Sequence, residues 1–189
     1  MSSTAFQMVS QFKPDPRCFA GKSCRSAGHC GIICPYKSAG ETGVLVMDFS
    51  DGNYCFACGG DNPCGLKLEF VRDGDLYCTD FYTDRRFQGY NGVLHGGITS
   101  TILDEVMARH LTTRGIGIFT VTMETRFKKM IPTGVTVRFE AWQKEQRRNI
   151  YTMAARALLP GGETAAESTA KFMQVGVIDR DGDRDENNS

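Results

Sequence analysis

The stretch NGVLHGGITSTILDEVMARHL, residues 91–111, governs how the rest of the chain is read. Ile98, Ile102, Val106 and His110 recur at intervals of four, with Leu103, Met107 and Leu111 beside them. Apolar groups at this spacing fall on one side of a 3.6-residue helix and bury together. The spacing predicts a helix of about 16 residues, about 24 Å long. TTRG at 112–115 closes it, with Arg114 in the last turn and Gly115 as C-terminal cap. Two features sit oddly in an ordinary core helix. It starts behind His95-Gly96-Gly97, although glycine is a poor helix former. It also carries a lone acid, Asp104, on its inward side, where a carboxylate is costly unless something uses it.

On either side the period changes to two. GLKLEFV (65–71) alternates Leu66, Leu68 and Phe70 against Lys67 and Glu69, which predicts a half-buried strand. RDGD (72–75) reads as a hairpin turn into a second strand, DLYCTDFYTD. After the helix come FTVTMETRF, VTVRFEAWQ, NIYTMAARALL and AAESTAKFMQVGVI, the last two joined by PGGE at 160–163. In the first of these, Val121, Met123, Thr125 and Phe127 are expected on one face and Thr120, Thr122, Glu124 and Arg126 on the other. Two strands, one long helix and four long strands with short turns predict an α+β fold, one helix packed on a large antiparallel sheet.

The remaining chain bounds the answer. Lys+Arg and Asp+Glu balance at 22 each, so no global field points to nucleic acid. No run of about 18 apolar residues predicts a membrane span. No basic region followed by an apolar stretch marks a secretory signal, and a cytoplasmic location is expected. Residues 1–50 are rich in Gly, Pro, Ser and Cys without periodicity and read as a loop or disordered extension. The change of composition near Met47 makes it a candidate translation start. Residues 51–178 read as the domain. The acidic tail 179–189, DRDGDRDENNS, reads as disordered; it lacks the Gly position and closing Glu of a calcium loop.

The chemistry is concentrated at the helix start. A helix N-terminus offers unpaired N–H groups and partial positive charge, and glycines let a ligand approach the backbone. A carbonyl held there is polarised and its oxyanion stabilised. Asp104, seven residues after Gly97, lies roughly on the side of the helix start, so one helix supplies both an electrophile-binding end and a carboxylate. In a dimer the two can serve across a subunit boundary. On the residues alone, glycines that merely make a tight turn, and an aspartate satisfied by a neighbour, fit as well.

FQGYNGVLHGGITSTILDE, followed by TVTMETRFKKMIPTG, resembles the hotdog-fold acyl-CoA thioesterases of the phenylacetate-pathway (PaaI-like) family, over about residues 55–177. That family has His-Gly-Gly and an acid nine residues after the His, the spacing of His95 and Asp104. The resemblance implies a curved antiparallel sheet wrapped around one long central helix, a homodimer or homotetramer, and hydrolysis of an acyl-CoA. CoA is part of the substrate, and no cofactor is implied. It implies Asp104 as the catalytic carboxylate, as general base on water or as nucleophile through an anhydride. It further implies Gly96 as backbone donor to the thioester oxygen, His95 as a positioning residue and Thr120 as holder of the water or the acid. Some relatives carry Asn or Gln six residues before the His; here that position is Gly89, flanked by Gln88 and Asn91. The pocket is expected between the helix start of one subunit and Asp104 of the other.

Gly97 and Asn91 beside the motif, with Arg126, Lys128, Lys129 and Arg148 in basic turns, are the expected substrate-binding residues, the cations facing CoA phosphates. Phe87, Tyr90, Met107, Phe119 and Met123 are candidates for an acyl pocket. Glu105, about 100° around the helix from Asp104, is expected at the surface or an interface. Glu124 shares a face with Thr120 and either approaches the site or forms a surface ion pair.

All eight cysteines lie between Cys18 and Cys78. CFACGGDNPCGL has Cys55-x-x-Cys58 and Cys64 six residues on, half of a zinc knuckle that Cys78 or an N-terminal cysteine would have to complete. Similar openings occur in the thioesterase group, so Cys55 and Cys58 are taken as structural, with no metal expected. Two competing functions fit the fold. An acyl-thioester hydratase or dehydratase is disfavoured by the Gly-Gly after His95. A non-catalytic acyl-CoA-binding module is disfavoured by the intact Asp104.

Overall fold

The computed structural model describes residues 53–178. The expectations for residues 1–50 and 179–189 lie outside the described residues. The elements run β1 (Val71–Asp73), β2 (Leu76–Tyr82), α1 (Gly96–Thr112), β3 (Ile116–Phe127), β4 (Thr136–Arg147), β5 (Ile150–Leu158) and β6 (Thr164–Val177). The six strands form one antiparallel sheet in the order β1-β2-β4-β5-β6-β3. α1 packs against β2 through β6. This is the α+β arrangement the periodicities predict, a sheet around one long helix. Among the described residues no helix is long and apolar enough to cross a membrane.

The packing follows from the two periods. Ile102, Leu103, Val106, Met107, His110 and Leu111 are buried on α1. Opposite them lie Val137, Phe139 and Ala141 of β4, Tyr151, Met153 and Ala155 of β5, and Ala166, Ala170 and Phe172 of β6. Small residues on β5 and β6 leave room for the helix, while Phe139 and Phe172 fill the space beside them. On the opposite side of β4, buried Glu140 accepts from Arg138 Nε at 3.0 Å and Arg156 Nε at 2.9 Å, so its charge is compensated.

Two expectations are corrected. The strand expected at 65–71 joins the sheet only from Val71. Leu66 and Leu68 are buried, but their N–H groups donate to the carbonyls of Phe56 and Ala57, not to a strand. Alternation fixed which side chains bury and could not name the partner that takes the backbone.

The second correction concerns β3. Thr120 pairs with Phe172 and Thr122 with Lys171, so Val121 is an extra residue, a β-bulge. Beyond it Met123, Thr125 and Phe127 pair with the inward residues Ala170, Ser168 and Ala166. The bulge therefore puts Thr120 on the inward face together with Met123 and Thr125. Glu124 and Arg126 are exposed on the other face, where Arg126 binds Glu124 at 2.9 Å. Uninterrupted alternation had grouped Thr120 with Glu124.

Candidate active site

A short hairpin presents the helix start. Gln88 and Leu94 bridge, and Gly89 N–H donates to Val93 O at 2.9 Å. The Gln88 side chain accepts from Gly92 N–H at 3.3 Å and is spent inside this turn, with Asn91 exposed at its tip. His95 is the N-cap of α1: its Nδ1 accepts from Gly97 N–H at 2.9 Å. A Cβ on Gly97 would sit 2.9 Å from that nitrogen, so the cap requires glycine there. The Gly97 N–H is thus taken by the cap. The Gly96 N–H has no acceptor among the described residues and points out of the helix end.

This free donor opens on a groove of about 380 Å³ lined by Tyr90, Leu94, Gly96, Phe127, Lys128 and Lys129, among others. Lys128 pairs with Glu167, and Lys129 with Glu163 at 2.7 Å. Both pairs are about half exposed, a setting where such pairs contribute little and exchange readily for another anion. The helix start and the two lysines are thus brought together in one chain.

The carboxylate forms a second cluster. Asp104 is half-buried, and Thr120 Oγ1 donates to its Oδ1 at 3.0 Å, leaving Oδ2 open among the described residues. Burial raises the Asp104 carboxyl above the ordinary aspartate range, and the Thr120 hydrogen bond pulls it partly back. The bulge at Val121 turns the hydroxyl toward the helix, and bulges commonly re-aim a side chain beside a site.

The two clusters do not meet within one chain. Eight residues separate Gly96 from Asp104, about 12 Å along the axis and about 80° around it. The Gly96 N–H points away from Asp104, so an acceptor bound to it lies farther still. Arg148, at φ +54° in the β4–β5 turn, lies toward the end of the sheet that holds Thr120. Lys128 and Lys129 lie at the other end, where their N–H groups donate to Ala165 O. Arg126 stands apart on the outer face.

Of the candidate acyl-pocket residues, Tyr90 lines the groove, Phe119 is exposed, Met123 is partly buried, Met107 is core, and Phe87 packs on Phe81. Glu105 differs from its expectation. It is half-buried, and its Oε1 accepts from Cys58 Sγ at 3.1 Å and more weakly from Cys55 Sγ at 3.8 Å. Forty-seven residues separate Glu105 from Cys58, so no local spacing reveals the contact. Cys78 lies elsewhere, buried on β2 near Arg138 and Glu140.

Residues 91–166 match the family model described as "Thioesterase superfamily". No curated protein matches the chain. Several solved structures share the fold. A thioesterase superfamily protein aligns with TM-score 0.61 and 17% identity over 64% of this chain, which spans 63% of that protein. A Streptococcus mutans protein bound to acetyl CoA aligns with TM-score 0.56 and 15% identity, over 59% of this chain and 91% of that one. The Escherichia coli PaaI protein from the phenylacetic acid degradation operon aligns with TM-score 0.56 and 15% identity, over 60% and 83%. At such identities the likeness establishes the fold.

Proposed function

We propose that this chain, whose residues 91–166 match the thioesterase superfamily model, hydrolyses an acyl-CoA thioester to the free acid and CoA. The observation that carries this reading is the pairing of an unpartnered Gly96 N–H at one end of α1 with the Thr120-bonded Asp104 farther along it. The thioester oxygen accepts from Gly96 N–H, which strengthens its hold as the oxygen becomes an oxyanion. The open Oδ2 of Asp104 takes a proton from water as that water attacks the carbonyl carbon. The tetrahedral adduct then expels the CoA thiolate. His95 holds the helix start in shape, and Thr120 holds Asp104. Lys128 and Lys129 at the groove, with Arg148 from the other end of a sheet, meet the CoA phosphates.

The reading includes a homodimer. β3 is a twelve-residue edge strand with Phe119 and Val121 exposed on it, and such edges invite pairing. Gly96 lies against Phe127 near the end of β3, and Asp104 against Thr120 nearer its start. Antiparallel β3–β3 pairing about a two-fold axis brings the Thr120 region of one strand beside the Phe127 end of the other. The helix start of one subunit then faces the carboxylate of its partner, and the axial gap within each chain no longer matters. The cytoplasm, where Cys55 and Cys58 stay reduced, is the setting this reading assumes.

The test is direct loss of thioester absorbance with a panel of acyl- and aryl-CoAs, comparing wild type with Asp104→Asn. Turnover that falls about 10²-fold or more in the variant, a barrier change of about 2.7 kcal/mol, supports the assignment. No turnover on any member, with tight binding of a non-hydrolysable analogue to both proteins, would replace it with a binding module.

A further inference from the structure

Beside the site, and independent of it, the segment before β1 meets α1 in a cluster the reaction does not use. Cys55 Sγ, Cys58 Sγ and a Glu105 carboxylate oxygen all lie within 4.8 Å of one another, and each residue is half-buried. We infer that Cys55, Cys58 and Glu105 are three protein ligands of a zinc ion that fastens residues 53–68 to α1.

The distances suit that ion. Zinc with sulfur at about 2.3 Å and oxygen at about 2.0 Å sets neighbouring ligands about 3.5–3.8 Å apart in a tetrahedron. Glu105 Oε1 stands 3.1 Å from Cys58 Sγ and 3.8 Å from Cys55 Sγ, on either side of the sulfur–oxygen edge, and the two sulfurs lie within 4.8 Å of each other. Two sulfurs and one carboxylate favour zinc over calcium or magnesium, which take oxygen ligands.

The loop is built to hold the sulfurs in this position. Ala57 N–H donates to Cys55 Sγ at 3.3 Å, a bond that stabilises a thiolate, and Gly59 N–H closes the turn on Cys55 O at 2.9 Å. A Cβ on Gly59 would lie 2.3 Å from Cys55 N, so the turn admits only glycine. Lys67 Nζ clamps the same turn by donating to Gly59 O at 2.9 Å and to Gly60 O.

The electrostatics agree. Three acidic groups share one half-buried point, and without a cation protons must fill it. A divalent cation displaces the two thiol protons and balances the charge they leave. The fourth position falls to water.

The test uses the full chain. Zinc is measured by mass spectrometry after dialysis, in wild type and in a variant with Cys18, Cys24, Cys30 and Cys34 all changed to Ser. Both are expected to keep one equivalent, and Cys55→Ser/Cys58→Ser is expected to lose it. X-ray absorption on the four-serine variant should give two sulfurs at about 2.3 Å and oxygens at about 2.0 Å. That measurement stands even if the double variant fails to fold. Replacement by cobalt should give a thiolate charge-transfer band that survives in Glu105→Gln while the d–d bands move. Zinc absent from the four-serine variant, zinc retained by Cys55→Ser/Cys58→Ser, or a Cys55–Cys58 disulfide in the purified protein would each overturn the site. None of these readouts depends on turnover, so failure here leaves the hydrolysis reading untouched.

Discussion

The distance along α1 between Gly96 and Asp104, about 12 Å by helical rise, leads to a test by mixing two inactive proteins. Gly96→Pro deletes a single N–H at the first helical position. Proline is favoured there, and its fixed φ suits the helix. His95 already has the extended conformation (φ −63°, ψ 131°) that a residue before proline needs. The Cβ site at Gly96 is 3.6 Å from the nearest atom of Phe127, an ordinary contact. The fold should therefore survive. Loss of one oxyanion donor costs about 10²–10³-fold in turnover. Asp104→Asn, nearly isosteric, should cost about as much. Equal amounts of the two variants, unfolded and refolded together, give about half mixed dimers. If each site takes Gly96 from one subunit and Asp104 from the other, a mixed dimer has one intact site and one doubly damaged site. About one quarter of wild-type turnover should then return, against about 1% or less for either variant alone. Turnover by thioester absorbance and dimer composition by native mass spectrometry are both needed. Mixed dimers with no recovered turnover would refute the shared site, because sites contained in one chain stay damaged in every combination.

Thr120→Val removes the hydroxyl that holds Asp104 Oδ1 and keeps the β-branched shape. Turnover should fall by about tenfold or more with KM little changed, since a hydrogen bond to a charged group contributes about 1.5–3 kcal/mol; unchanged kcat would remove Thr120 from the site. His110 is about 1% exposed, neither ring nitrogen has a partner among the described residues, and burial with nearby Arg114 and Arg72 lowers its pKa to about 4. The unfolded chain takes up that proton below about pH 6.5 and the folded chain does not until about pH 4, so stability falls as pH drops through this window, by about 3 kcal/mol in all. Denaturant midpoints for wild type and His110→Leu should diverge between pH 7 and 4, with the variant flatter; parallel curves would contradict the assignment. Leu103→Ala empties a fully buried position between helix and sheet and should cost about 2–5 kcal/mol by urea unfolding.

Much of the fold was legible because two periods carried it. The helix at 96–112 and the strands β2 to β6 follow from spacings of 3.6 and 2. Burial of Val137, Phe139 and Ala141 follows from alternation alone. What sequence could not yield was any fact that depends on a partner strand. Leu66 and Leu68 alternate like a strand yet bond to Phe56 and Ala57. The bulge at Val121 has no signature in FTVTMETRF; it exists only against β6. At the site, His95, Gly96, Gly97 and Asp104 were found as one motif on one helix. The spacing of Gly96 and Asp104 along the axis follows from helical rise, but the Thr120 hydroxyl that meets Asp104 does so only through the bulge. Glu105 was misjudged because its partners come from a loop 47 residues away, and a helical wheel says nothing about what covers that loop.

Val121 gives β3 something like a reading frame. A strand is read two residues at a time, and one extra residue shifts everything beyond it, as an inserted base shifts a message read in threes. Here the shift is what sets Thr120 against Asp104 while keeping Met123 and Thr125 against the helix. Losing the codon for Val121 would leave both halves of the strand in frame and merely straighten the ladder. Losing the codon for Thr122 would do the same, with Val121 taking its place opposite Lys171, whereas losing the codon for Phe119 would turn either Thr120 or the start of the strand to the other face. Tolerance to single-residue deletion along this strand should therefore peak at Val121 and Thr122, two of the least conspicuous residues in it.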